Sequence, residues 1–356
     1  MKEVYIRPLD LRHGCVDLGH GSGGRAMAQL IGELFRSALG NEWLDRGDDG
    51  AVLPLPPMPS LAGGGRLVLT TDAHVVSPLF FPGGDIGCLS VHGTINDVAM
   101  MGARPLWLSA AFIIEEGFPL ADLKRIVDSM AAAAREAGVP VVTGDTKVVE
   151  RGKGDGVFIA TTGVGVVPAG VDLSGGQARP GDALLLSGTI GDHGMAIMSR
   201  RENLEFDAPI VSDTAALHGL VAAMLESGAE LRCLRDPTRG GLATTANEIA
   251  VQSGVGMVLD EAAIPVRPVV AAACELLGLD PLYVANEGKL LAVCAQTDAA
   301  RLLEAMRGHP LGRDAAIIGS VIGNDGDGRR FVQMKTRLGG RRIVDWLTGE
   351  QLPRIC

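Results

Sequence analysis

Acidic residues recur in this chain beside glycine or at the ends of apolar runs, a pattern suited to gripping a hard cation. Asp48 and Asp49 stand in GDDGAVL, Asp72 in LTTDAH and Asp97 beside Asn96 in TINDVAMMGA. Asp145 stands in VVTGDTK and Asp236 in RDPTRGGL. Carboxylates so placed can hold Mg²⁺, which prefers oxygen ligands. Mg²⁺ in turn bridges phosphate oxygens and offsets their charge. Taken singly, each of these aspartates is more often a turn former or helix cap. Their recurrence, mostly within one half of the chain, is what suggests a site.

Glycine loops add a second component. His20-Gly21-Ser22-Gly23-Gly24 precedes an expected helix over Arg25–Leu39. Backbone N–H groups in such a position can wrap phosphate. No GK[ST] follows and no GxGxxG spacing fits, so neither standard nucleotide motif is present. Arg239-Gly240-Gly241 opens another expected helix and offers a cation with amide donors. Gly191-Asp192-His193-Gly194 repeats the arrangement more weakly, and His193 reads as a capping or surface histidine.

A cation, a carboxylate and a thiol complete the candidates. Lys147 follows Asp145 by two residues on an expected strand, so both point to one face. Glu287, in VANEGKLL, stands just before another expected strand. Taken singly these read as a surface lysine and a turn residue. The chain ends Leu352-Pro353-Arg354-Ile355-Cys356, so its last side chain is a thiol. Pro353 keeps the local backbone extended, and ten extended residues reach at most about 35 Å. Such an arm can carry a sulfur between an interior pocket and a partner. An accidental terminal cysteine is the plain alternative.

Elements must position these groups. Arg66–Val76 reads as a strand running into a loop, and Gly87–Gly102 has apolar residues at roughly helical spacing. Leu120–Ala137 is the clearest amphipathic helix: Leu123, Ile126, Val127, Met130 and Ala134 share a face, and Gly138 stops it. Val139–Val142, Gly156–Val167 and Asp182–Ser187 read as strands. Asp213–Ser227 reads as a helix capped by Asp213, and Gly241–Ser253 as another. Met257–Leu259, Leu290–Cys294, Ala316–Val321 and Phe331–Met334 complete the expected strands. The Gly- and Pro-rich stretch Val167–Gly181 marks a boundary between two mixed α and β halves. No fixed repeat period is visible.

Composition narrows the class. At 356 residues two domains are the default expectation. Hydrophobic content of 47% with 21% charge fits a globular chain rather than a disordered one. A net charge of −10 argues against a nucleic-acid surface. The N-terminus lacks an apolar signal region, and no apolar run approaches a membrane span. Cys15, Cys88, Cys233, Cys274 and Cys294 are scattered with no CxxC, as in a reducing cytoplasm, the expected location.

The motifs together resemble the HypE family, the carbamoyl dehydratases of nickel–iron hydrogenase maturation, within the PurM-like ATP-binding superfamily. The stretches that carry the resemblance are GHGSGG at 19–24, DDGAVL at 48–53, TTDAHVVSPLFFPGGDIG at 70–87 and GTINDVAMMGARP at 93–105. GDTKVV at 144–149, RDPTRGGL at 235–242, NEGKLLAV at 286–293 and PRIC at 353–356 extend it to the end of the chain. Gly50, where relatives often carry alanine, is a small departure.

The resemblance implies an α+β architecture of two PurM-like domains. Residues 1–167 would bind ATP and dimerise, pairing two sheets into a central β-barrel. Residues 168–336 would form a C-terminal α/β domain, and 337–356 a mobile arm ending in the reactive cysteine. It implies that Asp49, Asp72, Asp97 and Asp145 hold Mg²⁺ or phosphate, and that His20, Gly21, Ser22 and Gly23 close over the phosphates. Asn96, Asp236, Arg239 and Gly240 join the nucleotide site, while Lys147 and Glu287 line the pocket that receives Cys356. Family partners would be a carbamoyltransferase, HypF, that loads Cys356, and a HypC–HypD iron scaffold that takes the cyano group. A homodimer is expected, with no nucleic acid and no membrane.

The chemistry agrees with the residues. A thiocarbamate becomes a thiocyanate only by losing its oxygen, which is a poor leaving group. Moving the ATP γ-phosphoryl onto that oxygen makes phosphate the leaving group. A base then removes N–H protons and a cation offsets charge; Glu287 and Lys147 are assigned these roles in that order, with the reverse emphasis left open. Selenophosphate synthetase, a relative with similar DPTRGGL text, is a rival reading. It needs a reactive cysteine or selenocysteine beside a lysine in the N-terminal Gly loop, where this chain has Ser22. The other rival is a non-catalytic carrier that binds ATP as a switch and presents Cys356.

Overall fold

The computed structural model describes residues 8–21, 25–46, 65–204, 206, 208–323, 331–347 and 354–355, with Gly21, Arg25 and Arg46 described by their backbone alone. Asp48, Asp49, Ser22, Gly23, Gly24 and Cys356 lie outside the described residues.

Alternation of small or β-branched residues builds the first sheet. Strand β1 (Arg66–His74) leads into a two-stranded ribbon, β2 (Phe80–Phe81) with β3 (Gly84–Asp85). Then come β4 (Arg104–Glu115), β5 (Val141–Val149) and β6 (Val157–Val167). The sheet order is β1-β6-β4-β5, antiparallel except for the parallel β4/β5 pair. Every second residue of β6 is buried, beginning with Val157, Ile159 and Thr161. The helix Leu120–Ala137 packs its expected face inward, and Gly138 ends it in the left-handed conformation at φ 68°.

The other helix on that face, Ile86–Met100, is apolar nearly all round and buried accordingly. Asp85 caps it by accepting from the N–H groups of Gly87 and Cys88. Ile86, Leu89 and Ile95 join the core of the first half, while Ala99 and Met100 join a core of the second. One helix thus ties both halves together and carries Asn96 and Asp97 between them.

The second sheet takes β7 (Ala183–Leu186), β8 (Leu231–Arg235), β9 (Gly256–Asp260), β10 (Leu291–Cys294), β11 (Ala316–Ile322), β12 (Val332–Lys335) and β13 (Arg341–Val344). Its order is β13-β12-β9-β11-β7-β10-β8. Strand β13 falls within the stretch expected to be a mobile arm. It pairs with β12, and Asn247 donates to the Val344 carbonyl at 2.9 Å, so the arm is tied down at least that far.

Two other differences have physical causes. The helix expected to start at Asp213 starts at His218, because the Asp213 carboxylate is held by Lys289 and by the Glu287 N–H. Strand β4, flanked by β6 and β5, lacks a clear sequence signature because it is apolar on both faces although only one is covered.

The sheet's other face is open. Leu67, Leu69 and Ile113 are 64%, 73% and 44% exposed there, in a sheet whose opposite face is helix-covered.

Candidate active site

Asp72 and His74 lie two apart on β1 and face the helix-covered side, towards Ile86–Met100. His74 is buried, and its Nε2 stands 3.2 Å from Asp72 Oδ2, outside hydrogen-bond geometry. Strand and helix can approach this closely only because the helix carries Gly93. A Cβ there would sit 2.9 Å from His74 Nε2. One turn on, Asp97 accepts from Thr70 Oγ1 at 3.1 Å. Asp236, Thr238 and Arg239 enter from the loop after β8, and Glu287 from the loop before β10. Together with Asp72, Gly93 and Asp97 they line one polar pocket between the two halves.

The loops are locked to each other. Asn286 donates from its side chain and its backbone to the Pro237 carbonyl, at 2.9 and 3.1 Å. Glu287 is 3% exposed, and its N–H donates to Asp213 Oδ1 at 3.0 Å. A Cβ on Gly288 would lie 1.7 Å from the Asp213 carbonyl oxygen, so only glycine lets the two segments meet.

The electrostatics of the pocket favour a cation. Desolvation opposes the Asp72 carboxylate, yet His74, the Ala73 N–H and Arg239 together hold its pKa below the ordinary value. Asp97 is pushed up to about 7, first by desolvation and then by Asp236 and Asp72. Asp236 is pushed up to about 6, chiefly by desolvation. Carboxylates crowded in this way relax when a divalent cation binds. The donor chemistry suits a hard divalent cation such as Mg²⁺, with Asp72, Asp97 and Asp236 as the candidate oxygen donors. Among the described residues no three such groups stand in coordinating geometry.

Other expected site residues are placed elsewhere. Asp145 and Lys147 share one face as expected and are paired at 2.9 Å, and Lys147 together with the Thr146 N–H lowers the Asp145 pKa. They point, however, to the open face of the sheet. Asp145 pairs with Ala111 and Ala111 with Ala160, whereas Asp72 pairs with Thr161. Asp72 and Asp145 are thus on opposite faces and three strands apart, about 14 Å at ordinary strand spacing. One protomer cannot bring them to one ion.

Asn96 also departs from expectation. Its amide donates to the carbonyls of Ala215 and Glu287 and accepts from the Leu217 N–H, so it positions the Glu287 backbone. His20 is buried in a turn with Asp17, whose N–H donates to His20 Nδ1 at 3.0 Å. That turn packs on β5, the strand of Asp145. Gly240 caps the helix Gly241–Ser253 at φ 73°. Asp49, Ser22, Gly23 and Cys356 lie outside the described residues. His74 was not singled out by sequence; the signal available was its place two residues after Asp72 on one strand face.

Comparison with known proteins agrees with this frame. A family model described as AIR synthase related protein, N-terminal domain, matches residues 47–167, and its C-terminal counterpart matches 179–331. The carbamoyl dehydratase HypE of Cupriavidus necator is 72% identical over 356 residues, covering 100% of this chain and 99% of that protein. A crystal structure of hydrogenase maturation protein HypE in complex with ATP superposes with a TM-score of 0.90 at 50% identity, covering 96% of this chain and 99% of the other. A crystal structure of a HypE–HypF complex contributes a chain that is 51% identical, with a TM-score of 0.76 and coverage of 89% and 99%.

Proposed function

Because the chain belongs to the HypE family of carbamoyl dehydratases, we propose that it uses ATP to dehydrate a carbamoyl group on its own Cys356, leaving a cyano group on that sulfur. The observation that carries the reading is the buried Glu287 beside a cluster of crowded carboxylates, in a chain that carries Cys356. The overall change is S–C(=O)–NH₂ plus ATP giving S–C≡N, ADP, phosphate and a proton. The carbamoyl oxygen leaves within phosphate, and both nitrogen protons must be removed. Mg²⁺, when bound, offsets the charge of the phosphates. Asp72, Asp97 and Asp236 hold it, Arg239 adds positive charge at the pocket mouth, and Glu287 takes a nitrogen proton. Two relatives support the ligand and partner: a structure described as HypE with ATP, and a HypE–HypF complex. A HypF-type transferase would load Cys356, and a HypC–HypD scaffold would receive the cyano group.

The test is intact mass. Carbamoylated protein given ATP should lose one water; a mere carrier keeps the carbamoyl mass, and that result would retire the enzyme reading.

Asp97 gives a prediction with a defined sign. Its folded pKa of about 7 exceeds the ordinary 3.8, so the fold favours the protonated form. That contribution is complete below about pH 3.8 and is lost as pH rises through about 7. Asp97→Asn mimics the protonated state. At pH 8 without ligand it should melt about 1–3 °C higher than wild type, while the extra stabilisation by Mg²⁺-ATP disappears. A lower melting temperature without ligand would contradict the crowding argument.

Lys147 reaches the site in this reading only through a homodimer. Burial of Leu67, Leu69 and Ile113 against a second copy would account for the apolar open face. Lys147 of one protomer would then serve its partner's pocket. Mixing Lys147→Ala with Glu287→Gln chains should restore about a quarter of wild-type activity, since half the dimers would own one intact site. No restoration would mean that Lys147 does not act across the dimer.

A further inference from the structure

His193 is the second residue of the helix Asp192–Arg201 and is fully buried, contrary to its reading as a capping or surface residue. Its Nε2 lies 2.9 Å from the carbonyl oxygen of Ile355, and its Nδ1 lies 2.8 Å from Ser212 Oγ. A carbonyl only accepts, so Nε2 carries the proton and Nδ1 accepts from the hydroxyl. Burial lowers the imidazole pKa, which favours that neutral form. Phe81 packs edge-on against the ring, with centroids 5.5 Å apart.

The same helix holds the tail a second time. Arg201 donates to the Arg354 carbonyl at 3.0 Å and to Ser77 O at 2.6 Å, and the Ser77 N–H also donates to Arg354 O at 3.0 Å. The Arg354 guanidinium pairs with Asp155. Arg354 has φ 54°, a left-handed conformation that a non-glycine residue keeps only when its surroundings impose it. Ile355 is buried in one apolar cluster with Val76, Phe81, Ile197 and Ala285.

We propose that His193 is a positioning residue: it latches the tail by the carbonyl next to Cys356 and so sets the docked register of the reacting sulfur. This rests on the reading of Cys356 as the carbamoyl carrier. The latch and the proposed base share one support. Ser212 fixes the His193 tautomer, and the next residue, Asp213, accepts from the Glu287 N–H. Nothing here is consumed; the latch must open for loading and close for dehydration. Its loss should therefore move two rates in opposite directions, which general damage to the fold would not do.

The experiment compares wild type, His193→Phe, His193→Gln and Ser212→Ala. Phenylalanine keeps the packing against Phe81 without a donor, and glutamine keeps a donor. One readout is iodoacetamide alkylation of Cys356, resolved from Cys15 and Cys88 by peptide mass. The other is single-turnover dehydration of carbamoylated protein. His193→Phe should alkylate roughly ten-fold faster and dehydrate roughly ten-fold slower, the scale of one buried hydrogen bond, with ATP binding intact. His193→Gln should recover most of both rates, and Ser212→Ala should shift both in the same directions by less. Should His193→Phe fail to fold, Ser212→Ala decides alone. Unchanged Cys356 alkylation in the folded variants, or two rates falling together, overturns the latch. If wild type itself fails to dehydrate, the proposed function fails while the alkylation arm still decides the latch.

Discussion

Cys356→Ala is expected to yield no cyano product at all, with Mg²⁺-ATP binding retained. The loss should be complete because the substitution removes the atom on which the substrate is built. It differs from loss of a catalytic group, which leaves residual turnover from the remaining machinery. Binding should persist because Asp72, Asp97, Asp236 and Arg239, which line the pocket, are untouched by the substitution. Of the other cysteines, Cys233, Cys274 and Cys294 are buried, and burial pushes their thiols up to about 12, 11 and 12. A nucleophile needs its thiolate, so these thiols are inert near neutrality. The measurement is ligand-induced stabilisation alongside cyanide detection. Cyanide formed by Cys356→Ala would remove the basis of the account.

Glu287→Gln should leave the carbamoylated form to accumulate, with dehydration slowed by about 10²–10⁴-fold, the usual contribution of a positioned base. Glutamine preserves volume and keeps the backbone bond to Asp213, so the Asn286–Pro237 clamp and the tight passage at Gly288 are undisturbed. What is lost is an anion able to accept a nitrogen proton. Loading by the transferase should be unaffected, because it precedes this step. Intact mass after a fixed time with ATP separates loaded from dehydrated protein. Dehydration at the wild-type rate would mean that the proton leaves by another group.

How much of this was legible in the sequence depended on locality. The helix Leu120–Ala137 was, because its apolar period and terminal glycine are local signals that packing only reinforces. Strand β4 was not, because apolar residues occupy its open face as well as its covered one, so its burial alternates while its sequence does not. Among site residues, Asp72, Asp97, Asp236 and Glu287 share one pocket as their motifs suggested. That Asp145 and Lys147 share a face was also readable, since it needs only the two-residue period. Which face of the sheet they occupy depends on the register of four strands, which no short motif encodes. Asn96 beside Asp97 looked like a ligand, yet a helix turns about 100° per residue, and that turn aims Asn96 at the Glu287 carbonyl instead. His193 was misread because its partner lies 162 residues away at the chain's end.

The most direct measurement follows oxygen. Protein carrying a carbamoyl group labelled with ¹⁸O at its carbonyl is given ATP for a single turnover, and inorganic phosphate is weighed. If the γ-phosphoryl passes to the carbamoyl oxygen, each cyano group formed leaves one ¹⁸O in phosphate. Unlabelled phosphate accompanying full conversion would show that the oxygen departs by another route and would contradict the account.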